Sequence, residues 1–82
     1  MVRRVAAEYG IDDINLVKPG VGETVRVLLR RVPWMVLVRT GFRGDIAPVL
    51  ALAAERGVPV EERPDIQYKC IGLIKDLNAA RS

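Results

Sequence analysis

The run Trp34-Met-Val-Leu-Val38 constrains this chain more than any other feature. A strand with one wet face alternates polar and apolar residues, and this run does not. Its unbroken apolar character, closed by Arg39, predicts a strand covered on both faces. Helices have to supply that cover, and the flanking sequence offers them. Val2, Val5, Ala6 and Tyr9 recur at helical spacing, and Gly10 ends that run. From Glu23 the pattern is helical again. Val25, Leu28, Leu29 and Val32 form its apolar face, Arg26, Arg30 and Arg31 lie off it, and Pro33 stops it. Residues 40–44 read as a loop, after which Asp45 suits an N-cap. Ile46, Val49, Leu50, Leu52 and Ala53 then line a helix that holds Pro48 in its first turn and ends at Gly57. Ile14–Val17 and Val58–Val60 are short β-type runs.

The last segment admits two readings. Ile66, Cys70, Leu73 and Leu77 follow helical spacing, Ile74 widens the stripe, and Asp65 after Pro64 suits a cap. Alternation through Tyr68 and Cys70 suits a strand. Length favours a helix, with residues 66–78 open between the two. The order is then α-β-α-β-α-β-α. Such alternation predicts an α/β fold, here a three-layer α/β/α sandwich with a small, mainly parallel sheet, in one domain over 1–82.

The residue inventory narrows the chemistry. The 82 residues include no histidine and one cysteine, Cys70, and the only serine is Ser82. Ser-His-Asp and Cys-His arrangements and histidine-containing zinc sites are excluded, and no disulfide can close within the chain. Cys70 lies between apolar neighbours and reads as a small core residue. Asp12-Asp13 and Glu61-Glu62 read as solvated charges. The expectation is a protein that is not an enzyme, with no catalytic residue, no metal, no cofactor and no small-molecule substrate. No apolar stretch approaches the ~18 residues of a membrane span, and residues 1–10 lack the apolar core of a signal peptide, so a cytoplasmic location is expected.

The net charge is +3, and it is uneven. Residues 1–44 carry eight basic and four acidic groups, whereas residues 45–82 carry five and six. Arginine dominates the basic half, and its planar guanidinium pairs with phosphate oxygens two at a time.

Within that half, Pro19-Gly-Val-Gly-Glu-Thr24 joins a strand to a helix. A nucleotide-binding P-loop would need lysine where Glu23 stands and a first glycine where Val17 stands, so phosphate hydrolysis fails at two defining positions. Backbone N–H groups at a helix start favour phosphate oxygens, with Lys18, Arg26 and Arg30 adding charge. The plainer alternative is that Gly20 and Gly22 make a tight connection and the arginines keep the helix soluble.

The run Lys18-Pro-Gly-Val-Gly-Glu-Thr-Val-Arg-Val-Leu28 resembles the strand-to-helix turn of the kink-turn-binding ribosomal proteins of archaea and eukaryotes, the L-seven-Ae and L-thirty-e type. The likeness extends over about residues 14–77, through Trp34–Arg39, Leu50-Ala-Leu-Ala-Ala-Glu-Arg-Gly-Val-Pro-Val60 and Pro64-Asp65, as in a shortened or divergent member. It implies binding to bent or structured rRNA beside neighbouring ribosomal proteins of the large subunit. It matches Gly20 to the family's glycine and Glu23 to its acidic or amide residue, which accepts from base edges. Gly22 stands where many relatives have Asn or Lys. The family's second RNA-facing loop falls on Glu61-Glu-Arg-Pro-Asp65, where two glutamates oppose phosphate. The expected RNA-binding set is Lys18, Gly20, Gly22, Glu23, Arg26, Arg30, Arg39 and Arg63. Trp34 reads as core or as a stacking surface, and Phe42 as an RNA contact, a partner contact or a lid on the core. A protein-interaction module of the same fold without RNA is the competing expectation.

Overall fold

The computed structural model describes residues 1–41 and 45–74. Helix α1 (Val2–Glu8) is followed by a single 3₁₀ turn (Ile14–Leu16) and strand β1 (Val17–Pro19). Helix α2 (Val21–Arg30), strand β2 (Met35–Arg39), helix α3 (Ala47–Arg56), and strands β3 (Val60–Arg63) and β4 (Cys70–Leu73) complete the order. The readings made for Phe42 and Leu77 lie outside the described residues.

The fold is α/β, with a four-stranded sheet in the order β1-β4-β2-β3. The expected mainly parallel sheet is corrected to a mixed one. β2 and β3 are parallel, but β4 runs antiparallel to both β1 and β2. The connections give the reason. Helices α2 and α3 each return the chain to the start of the sheet, so β1, β2 and β3 run one way. Only residues 64–69 separate β3 from β4, too few for another crossover helix, so the chain turns back antiparallel.

The expected last helix is corrected for the same segment. Residues 70–73 are a strand with all four residues buried. Ile71 and Leu73 enter one apolar cluster with Val5, Ala6, Val17 and Leu37. Cys70 enters the other, with Leu28, Val36, Val38, Val49 and Ala53. A strand covered on both faces shows no polar alternation, so its apolar positions also satisfy helical spacing. The same logic holds for β2. Leu37 belongs to the α1 cluster, while Val36 and Val38 belong to the cluster under α2 and α3.

Helix α2 starts two residues earlier than its periodicity suggests and presents a rotated face. Thr24, Val27 and Leu28 are buried, whereas Leu29 (57% exposed) and Val32 (66%) face outward. Asp45 does not cap α3. Ile46 holds the N-cap position, and the Asp45 carboxylate accepts from Lys69 Nζ at 3.0 Å. Gly57 ends α3 at φ +70°, a left-handed conformation that glycine adopts without strain. Glu61, Glu62 and Arg63 lie in β3, in register with Leu37, Val38 and Arg39, and not in a loop.

Candidate nucleic-acid interface

Because β1, β2 and β3 point the same way, Pro19, Arg39 and Arg63 close the same end of the sheet. The glycine turn follows Pro19 at one edge, and Arg63 ends the strand at the other edge. Three strand spacings, roughly 14 Å, separate them.

The turn is a bare backbone surface. Gly20 is the N-cap of α2 at φ +97°, and no side chain caps the helix. A Cβ built on Gly20 or on Gly22 would meet nothing within 4 Å. The first backbone bond of α2 runs from the Thr24 N–H to the Gly20 carbonyl at 3.0 Å. The preceding N–H groups of the helix therefore lack intrahelical acceptors and carry the positive end of its dipole. Glu23 does not fold back over the turn. Its carboxylate lies 3.8 Å from Arg26 Nη1, one turn along the helix.

Lys18 lies half-buried in β1, paired with Gly72 of β4 and therefore on the α2 side. Its Cβ would be 3.8 Å from a Cβ added at Gly72. Arg26 and Arg30 are both exposed on α2. At 1.5 Å of rise per residue, Arg26 stands about 9 Å from Gly20 along the axis and Arg30 about 15 Å. The fold thus brings Lys18, Gly20, Gly22, Glu23 and Arg26 together and puts Arg30 at the far end of the helix.

Arg39 and Arg63 sit elsewhere. They are register partners on β2 and β3. Both follow the parity of Leu37, which faces α1 and not α2. Arg63 is committed to the fold. Its Nε and Nη2 bind the two Asp65 carboxylate oxygens at 2.9 and 2.7 Å, Nη2 also reaches Glu8 at 2.9 Å, and Nη1 donates to Tyr9 Oη at 2.9 Å. The guanidinium lies 5.9 Å from the Tyr9 ring centre and holds the Asp65 carboxyl below the usual carboxylate range. Arg4 adds a second contact to Asp65 at 3.4 Å. This cluster ties α1 to the end of β3. The Tyr9 hydroxyl donates to Glu61 at 3.0 Å, and its ring meets Trp34 edge-on with centres 6.0 Å apart. Trp34 is 38% exposed, between the two readings made for it.

Sequence reasoning missed Thr24, the one buried polar residue on α2. Its hydroxyl donates to the Gly20 carbonyl at 2.7 Å, with the Lys18 carbonyl at 3.3 Å. Its position on the Val21-Val25-Leu28 stripe was the available signal. Cys70 is buried, as its apolar neighbours implied, and burial pushes its thiol up. A cavity of about 230 Å³ lined by Val38, Ile46, Leu50, Val60 and Glu62 opens beside β3, at the edge away from the turn. It is smaller than the ~300 Å³ at which ligand pockets begin. Among the described residues no helix is long and apolar enough to cross a membrane.

An α/β domain that turns a bare glycine loop and a basic helix to solvent has the form of an RNA-binding module. The chain belongs to the PELOTA RNA binding domain family, whose model matches residues 1–76. That family shares its fold with the L-seven-Ae and L-thirty-e proteins that the sequence resembles. The chain is also similar to the cysteine protease StiP of Acinetobacter baylyi (strain ATCC 33305 / BD413 / ADP1), at 37% identity over 79 residues. The match takes in 94% of this chain and 21% of that protein, so the chain spans about a fifth of the curated relative's length.

Proposed function

We propose that this domain binds structured RNA through the Gly20–Glu23 turn and the Arg26 side of α2. It would act in the cytoplasm and as a binding element with no catalysis of its own. The observation that carries the reading is the uncapped start of α2, where two glycines leave the backbone open beside Lys18 and Arg26. Phosphate oxygens approach such N–H groups closely, and the flanking cations add counterion release to the affinity.

StiP, a cysteine protease by name, lends no support to the ribosomal setting implied by the resemblance. The proposal is therefore for structured RNA in general, without a ribosomal particle. A protease within a longer protein would not draw its nucleophile from this domain. Cysteine catalysis needs an accessible thiolate, and Cys70 is buried and held as a thiol.

The test is RNA affinity against salt for Lys18→Glu with Arg26→Glu, beside Arg30→Glu alone. Each lost phosphate contact flattens the log–log salt slope by roughly 0.7 to 0.9, the range between single strands and B-form duplex. The double variant is expected to bind far more weakly with a slope shallower by about 2. Arg30→Glu, farther from the turn, is expected to lose less. Full retention of affinity by the double variant would remove this surface from the proposal.

One observation favours a second reading, a protein-docking module. Ile14, Leu29, Val32, Trp34 and Val60 are exposed apolar residues at the end where β1, β2 and β3 begin, away from the glycine turn. Docking there would be almost insensitive to salt, unlike phosphate contact.

A further inference from the structure

The turn proposed to meet RNA is held from behind by strand β4 and by Thr24. Gly20 is fixed on both of its peptide groups. Its N–H donates to the Cys70 carbonyl of β4 at 2.8 Å, and its carbonyl accepts from the Thr24 N–H at 3.0 Å and the Thr24 hydroxyl at 2.7 Å. The same hydroxyl lies 3.3 Å from the Lys18 carbonyl, so it bridges the residues on either side of Pro19. Thr24 is wholly buried, while Gly22 and Glu23 beside it are exposed. Its methyl lies over Gly72, 3.6 Å from where a Cβ would sit, so β4 leaves room for it. A threonine inside a helix normally weakens it slightly when it bonds back to the preceding turn. Here that bond reaches the N-cap carbonyl and sets the angle at which the chain leaves β1 for α2.

We propose that Thr24 is a positioning residue for RNA binding. Its hydroxyl holds Gly20 at positive φ and so aims the first N–H groups of α2, without touching RNA itself. The proposal rests on the RNA-binding reading above. The hydroxyl is the operative group. Thr24→Ser keeps it and drops the methyl, whereas Thr24→Val keeps the shape and drops the hydroxyl.

The experiment compares wild type, Thr24→Val, Thr24→Ser and Val5→Ala, the last a core truncation in the α1 cluster that lowers stability without touching the turn. Two readouts are taken where every variant is folded. One is amide exchange at Gly20 and Thr24 without RNA. The other is affinity for a kink-turn RNA duplex. Thr24→Val is expected to speed exchange at those two amides beyond the rest of the chain and to weaken binding about tenfold. Thr24→Ser and Val5→Ala are expected to stay within about threefold of wild type. If Thr24→Val does not fold, Thr24→Ala replaces it, because it removes the methyl that would press on the two carbonyls. Wild-type affinity in the hydroxyl-free variant, or an equal loss in Val5→Ala, overturns the proposal. A wild-type chain that binds neither this RNA nor a hairpin nor a plain RNA duplex defeats the functional reading and its positioning consequence together. Exchange at Gly20 and Thr24 then still shows whether the hydroxyl holds the turn.

Discussion

Replacing Arg63 with methionine keeps most of the side chain's length and removes every bond its guanidinium makes. The magnitude follows from the surroundings. The Arg63 side chain is only 16% exposed, and Glu8 is 37% exposed. The bond to the Tyr9 hydroxyl contributes about 1 kcal/mol. The pair with Glu8, screened by solvent, and the guanidinium over the Tyr9 ring together add about another. A loss near 2 kcal/mol in a domain of this size lowers the melting temperature by about 10 °C. The loss should also depend on pH. Arg63 depresses the Asp65 carboxyl below its ordinary value. That contribution is fully present above the unfolded carboxyl's pKa, near 4, and is lost as pH falls through the lower folded value. The gap between wild type and Arg63→Met should therefore narrow in strong acid. Thermal unfolding of both proteins from neutral pH down to about pH 2 reads both effects. A melting difference under about 3 °C at neutral pH would refute the assignment of Arg63 to the fold and return it to the candidate RNA contacts.

Leu28 and Leu29 are neighbours on α2 with opposite burial, so Leu28→Ala should cost about 3 kcal/mol and Leu29→Ala under about 0.5, read by denaturant unfolding. Gly57→Ala places a Cβ at φ +70° and should destabilise by about 1 kcal/mol in the same assay. Burial raises the Tyr9 hydroxyl's pKa, with Arg63 opposing and Glu61 adding to the shift. Its contribution is complete below pH 10 and lost as pH rises through the folded value, so Tyr9→Phe should be less stable than wild type at neutral pH, with the difference shrinking at high pH. The Cys70 thiol should react with a bulky thiol reagent only as fast as the domain opens, and at once in denaturant.

The sequence made some elements plain and hid others. Trp34–Val38 announced a strand buried on both faces because Pro33 breaks any helix before it and two of its five apolar residues are β-branched valines, and β2 (Met35–Arg39) takes up most of that run. Gly10 and Gly57 marked the ends of α1 and α3, since each takes a positive φ. Cys70–Leu73 was harder. A short central strand and a buried helical turn have the same apolar content, and only the pairing with β1 and β2 distinguishes them. The α2 face was misplaced because Leu29 and Val32 carry more hydrophobicity than Thr24, whose two carbonyl partners make its burial inexpensive. At the candidate interface, the glycine turn and Arg26 were legible from local spacing. Arg63 was not, because Glu8 and Tyr9, which hold it, lie more than fifty residues earlier.

The place of β4 bears on how the chain assembles. The last described strand in sequence is second in the sheet, and β1 reaches β2 only through it. A growing chain that stops before Cys70 has helices and a parallel pair but no means of joining its first strand to them. Both halves of the interior stay open to water until residues 70–73 arrive, because that strand supplies side chains to each. The glycine turn waits as well, since the carbonyl that receives the Gly20 N–H belongs to Cys70. The closed sheet and the candidate RNA surface thus depend on the same four residues.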